Sequence, residues 1–90
     1  MSQFIEIIFE EAILAFREAE ASGNRWRIGD FPTSKWLQKN HVNLDDVLDF
    51  ARKFADSKIV IIGEGQHEGF YIYSEKKKTC YKFARQMAEV

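Results

Sequence analysis

The residues able to do chemistry are few. Cys80, His41 and His67 are the obvious nucleophile and base candidates, and Glu64 and Glu68 flank a loop glycine. Cys80 falls inside a predicted helix beside Tyr81, the setting of a small packed residue rather than of an activated thiol. Two isolated histidines and one cysteine have no recognisable metal-ligand spacing. The expectation is a non-catalytic protein with no metal site and no cofactor.

Gly63, Gly65 and Gly69 follow an aliphatic run, as the glycines of phosphate loops do. Those loops open into a helix whose N-terminus holds the anion. Here a strand is predicted next, and no Gly-Lys-Ser/Thr is present, so the glycines are read as hairpin residues. Gly69-Phe70-Tyr71-Ile72-Tyr73 is an aromatic strand of the kind that stacks bases in RNA-recognition-motif sheets. That fold has four strands and begins with one. This chain is read as beginning with a helix and offering two good strands.

Basic residues offer a different chemistry. Lys and Arg number 13 against 14 Asp and Glu, for a net charge of −1. A purely electrostatic nucleic-acid binder is usually basic overall. The balance is uneven along the chain: residues 1–23 carry −4, residues 24–58 carry +2 and residues 59–90 carry +1. Arg25, Arg27, Lys35, Lys39, His67, Lys76, Lys77, Lys78, Lys82 and Arg85 are candidates for one phosphate-binding surface, whose affinity would fall steeply with salt. Three consecutive lysines are also common as plain solvated side chains.

The elements that position these residues follow from periodicity. Phe4 to about Ser22 reads as a helix closed by Gly23-Asn24, with Phe4, Ile5, Ile8, Phe9, Ala12, Ala15, Phe16 and Ala19 on one face. Ile7 and Leu14 lie together on its charged side and suggest a second buried contact. Arg25 to Ile28 alternates like a short strand. Pro32 with Thr33 or Ser34 opens a short helix to Asn40, anchored by Trp36 and Leu37. His41-Val42-Asn43 is a turn, and Asn43 with Asp46 resembles a capping box before a helix from Leu44 to about Ala55.

Ile59 to Ile62 and Phe70 to Tyr73 form a hairpin around the glycine loop. Tyr71 and Tyr73 face opposite to Phe70 and Ile72, so one face covers the core and the other needs a helix or a partner. Ser74 then caps a last helix over about Glu75 to Glu89, with Tyr81, Ala84, Met87 and Ala88 in register. Phe9, Phe16, Trp36, Phe50, Phe54 and Phe70 are expected to supply much of the core.

Ninety residues suit one domain, 1–90, of α+β class. Eight Phe, three Tyr and two Trp are more rings than a minimal core needs, and some are expected at an interface. A single cysteine excludes an internal disulfide and fits a reducing compartment. Glu6, Glu10 and Glu11 make the N-terminal segment unlike a signal peptide, and no apolar run approaches the ~20 residues that span a bilayer. The expected location is cytoplasmic, without membrane contact.

The expected order is helix, strand, helix, helix, hairpin, helix. That order is similar to a winged helix-turn-helix domain, with residues 32–55 as the helical pair and residues 63–69 as the wing. The usual glycine of the inter-helix turn is absent. The resemblance implies a DNA-binding regulator, dimeric through terminal helices, with the Leu44–Ala55 helix in the major groove. Phosphate or base contacts would then come from Lys35, Lys39, Arg52, Lys53, His67, Lys76, Lys77 and Lys78. The dimer or partner interface would use Ile7, Leu14, Tyr71 and Tyr73. Against this, the exposed side of the groove helix sets four aspartates, Asp45, Asp46, Asp49 and Asp56, against Arg52 and Lys53, and carboxylates repel phosphates. The alternative is the same scaffold used to bind protein, as an adaptor or inhibitor of the phage or plasmid type.

Overall fold

The computed structural model describes residues 4–54 and 56–83. Its elements are β1 (Phe4–Ile7), α1 (Phe9–Ala21), β2 (Arg25–Trp26), α2 (Phe31–Lys39), α3 (Leu44–Ala51), β3 (Lys58–Ile62), β4 (Gly69–Ser74) and β5 (Thr79–Phe83). All five strands join one antiparallel sheet in the order β1-β5-β4-β3-β2. The fold is a small α+β domain with three helices and an antiparallel sheet, consistent at most with a winged-helix-like topology.

Strand alternation divides the core in two. Val60, Ile62, Tyr71, Tyr73 and Cys80 point to one face, where α1 lays down Ala12, Ala15, Phe16 and Ala19. Ile61, Phe70 and Ile72 point to the other, beneath Trp36 of α2 and Val47 and Ala51 of α3. Every residue of β4 is buried. That is the signature of a strand covered on both faces, and it explains why Phe70 to Tyr73 is apolar or aromatic throughout. Phe16 meets Tyr71 and Tyr73 at ring-centroid distances of 5.1 Å. Across the sheet, Phe4 stacks on Phe50 at 4.6 Å.

Two expected helices are corrected. Phe4–Ile7 is not the first turns of α1 but an edge strand paired with β5, register Phe4↔Phe83 to Ile7↔Cys80. β-Branched Ile5 and Ile7 tolerate either state locally, and pairing with β5 decides between them. The expected helix after Ser74 is also replaced. Glu75 to Lys78 is a turn, with Lys78 at φ 56°, and Thr79–Phe83 returns as β5. Cys80 and Tyr81 thus occupy opposite sheet faces rather than one helix side. Ala84, Met87 and Ala88 lie outside the described residues.

α3 is shorter than expected, ending at Ala51 rather than near Ala55, so Arg52 and Lys53 follow the helix instead of lying within it. The short strand is confined to Arg25–Trp26 and pairs with β3 of the hairpin. α2 and α3 are joined by Asn40 to Asn43. Asn43 Oδ1 caps α3 by accepting from the Asp45 amide at 2.9 Å and the Asp46 amide at 3.4 Å. The missing turn glycine is replaced by His41, which takes the left-handed φ of 56° itself.

Candidate functional site

The eight residues expected to meet DNA do not form one surface. His67 lies in the β3–β4 loop, and Lys76 to Lys78 form the β4–β5 turn at the opposite end of β4. A six-residue strand separates them, about 20 Å. Lys35 and Lys39 are exposed on α2, with the Lys35 ammonium 4.5 Å from the Phe31 ring centroid. Arg52 pairs with Asp49 at 2.8 Å just beyond α3. Lys53 lies over Phe50 at 5.2 Å. Even the lysine turn divides: Lys77 leans over Phe54 and Lys78 over Phe9, which belong to opposite layers.

Arg25 also turns inward. Its guanidinium bonds Glu20 at 3.0 Å and the Tyr73 hydroxyl at 3.3 Å, and lies over Phe16. Its Nε is buried without a partner among the described residues. The outer side of α3 carries Asp45, Asp46 and Asp49, all exposed.

The expected partner residues are likewise dispersed. Tyr71 and Tyr73 are 2% and 5% exposed, because α1 of the same chain covers their face. Ile7 is in β1 and packs against that core, while Leu14 is alone on the outer side of α1, 63% exposed. The two do not share a helix, so the expected seam is not formed by one.

The catalytic candidates are also apart. Cys80 is buried, and burial pushes its thiol up to about 12. His41 lies in the α2–α3 turn and His67 in the glycine loop, where its carbonyl accepts from Tyr71 at 2.6 Å. No group of three His, Cys, Asp or Glu able to hold a metal occurs among the described residues. Nor is any described helix long and apolar enough to cross a membrane.

The described chain does begin with a strand, and the sheet has five. The aromatic strand is nevertheless unavailable for stacking, since helices cover both of its faces.

What sequence reasoning missed is a corner between β2 and α2. After Trp26 the chain leaves the sheet. The Arg27 amide donates to Asp30 Oδ2 at 2.9 Å, and the Arg27 carbonyl accepts from Thr33 Oγ1 at 2.6 Å. That turn leaves Ile28 38% exposed and Phe31 71% exposed, the latter the most exposed large apolar residue described. Ile28 lines an open cleft of about 300 Å³ together with Arg27, Ser57, Lys58 and Ile59. Phe31 was readable as the aromatic member of the polar stripe Phe31, Lys35, Lys39. The cleft was not, because residues 57–59 are brought to residues 27–28 only by sheet order.

Comparison with protein-family models, with curated proteins and with solved structures finds no match to this chain.

Proposed function

We propose that this protein is a small non-catalytic binding module whose target is another protein. The observation that carries this reading is the exposed Ile28 in the wall of an open cleft, with the exposed Phe31 three residues further along the chain. Exposed aromatic and aliphatic anchors next to a concavity are what protein interfaces are built around. The scattering of the cations, the acidic outer side of α3 and the net charge of −1 favour it over nucleic acid.

A second reading, a DNA-binding regulator, draws on Arg52, Lys53 and Lys76 to Lys78. Phe50 and Phe54, 5.6 Å apart, carry Lys53 and Lys77 over their rings and gather these cations toward one end of the sheet. Polarisation of a labelled mixed-sequence duplex at two salt concentrations separates the readings. Protein binding as the main role predicts no saturable signal even at low salt. Micromolar or tighter binding that collapses with added salt would replace it with the DNA reading.

A further inference from the structure

Antiparallel ladders alternate hydrogen-bonded and non-bonded residue pairs. The Gly63 amide donates to the Asn24 carbonyl at 2.8 Å, which fixes the phase between β2 and β3. With the register Arg25↔Ile62 and Trp26↔Ile61, the bonded positions on β3 are Gly63, Ile61 and then Ile59. The partner of Ile59 would be Ile28. The Arg27–Asp30 turn has carried Ile28 away, so the N–H and C=O of Ile59 face the cleft with no described strand beside them.

The side chains around that open edge have a definite character. Ile28 and Ile59 are apolar, and Phe31, three residues along the chain from Ile28, is itself 71% exposed. Two cations line the cleft, Arg27 and Lys58. Lys58 is already paired with Glu75 at 2.6 Å. The Arg27 guanidinium has no hydrogen bond or ion pair among the described residues. Its turn is held by its backbone, which leaves the side chain uncommitted. Lys35, on α2, lies over the Phe31 ring.

We propose that this corner seats an extended acidic segment of a partner protein. The segment pairs its backbone with Ile59, sets an aliphatic side chain between Ile28 and Ile59, and places a carboxylate against Arg27. Edge pairing supplies affinity, and the alternate pocket and cation supply selectivity. This inference rests on the protein-binding reading and names its partner chemistry.

The test is selection from a random short-peptide library on the intact protein, followed by synthesis of the enriched peptides. The expected peptides alternate Asp or Glu with aliphatic residues and shift the backbone amides of Ile28, Lys58 and Ile59. Arg27→Glu weakens them about tenfold or more by placing like charges together, and Ile28→Asp does likewise. Circular dichroism checks that the variants fold. If Arg27→Glu does not, Arg27→Ala and the salt dependence of binding report the same contact. Enriched peptides that ignore Arg27 and Ile28 would overturn this seat while leaving the protein-binding reading standing. No enriched peptide, together with salt-sensitive duplex binding, would overturn both.

Discussion

The indole of Trp26 fills the space in which a side chain on Gly63 would start. A Cβ built there meets three carbons of the six-membered ring, all too close for real contact. The same glycine donates its amide to Asn24, so the edge strand β2 is fastened to β3 where the indole crosses. β2 is only two residues long. This contact, more than ladder length, holds it in the sheet and sets where the Arg27 turn begins.

Gly63→Ala is therefore expected to destabilise by about 1–3 kcal/mol through overpacking. Trp26→Ala should destabilise too, by loss of a half-buried ring. Urea denaturation of both singles and the double checks the contact. In the double variant the alanine methyl has room, so its cost should fall short of the sum by about 1 kcal/mol. Additive costs would mean that the two positions do not compete for space.

Alkaline pH should unfold the protein through its buried acids. Burial pushes Cys80 up to about 12, and burial first, then the neighbouring Cys80, pushes Tyr71 up to about 12. Both groups ionise earlier in the unfolded chain, near 8.5 and 10. Their contribution is complete below those values and is lost as pH rises toward the native values. Melting temperature should drop from about pH 9 upward. In Cys80→Ala the onset should shift toward the ordinary tyrosine range. At neutral pH the native thiol should resist a colorimetric thiol reagent and react fully once denaturant is added.

Acid should act through the β4–β5 turn. The Ser74 hydroxyl donates to Asp56 Oδ1 at 2.7 Å, the Lys76 amide donates to Oδ2 at 3.3 Å, and the Lys77 amide donates to Ser74 Oγ at 3.1 Å. The Ser74 bond is the main cause that lowers the Asp56 carboxyl below its ordinary value, with burial opposing. A lowered native value stabilises above the ordinary carboxylate range and is lost as pH falls through it, below about pH 4. Ser74→Ala removes the buried hydroxyl and is expected to cost about 1–2 kcal/mol at neutral pH. Its stability should also depend less on pH below 4 than that of the parent, measured by thermal melts across that range.

The contrast between α1 and β1 shows how far local pattern reaches in this chain. Ala12, Ala15, Phe16 and Ala19 repeat at helical spacing, and they are the residues α1 buries. Phe4 and Ile5 fit the same wheel, and four residues without clean alternation give no strand signal of their own, so local pattern favours the helix there. Pairing with β5 overrides it, and β5 was itself hidden behind a helical register drawn from residues beyond Phe83. Turns were legible where one residue type carries the chemistry, as at Asn43 and Gly23. The lysine turn was not, because Lys78 adopts positive φ without being Gly or Asn. The cations at Lys35, Arg52 and Lys76 to Lys78 were legible as exposed. The separation of His67 from Lys76 to Lys78 by the length of β4 was not, since it follows from how the strands pair.

α1 and α2 end in the same motif with different residues at the critical position. At the end of α1, Gly23 donates to Glu20 and Asn24 to Ala19, with Gly23 at φ 78°. At the end of α2, His41 donates to Gln38 and Val42 to Leu37, with His41 at φ 56°. Both are the paired bonds of a Schellman cap, whose left-handed residue is usually glycine. His41 carries a Cβ into that conformation and bears the steric cost that Gly23 avoids. His41→Gly is thus expected to raise stability by about 0.5–1 kcal/mol, the relieved strain exceeding the added freedom of the unfolded chain. His41→Val, β-branched, should lower it by more than that. Denaturant midpoints of the two variants decide it. A glycine variant less stable than the parent would mean that the imidazole makes a stabilising contact that outweighs the strain at this φ.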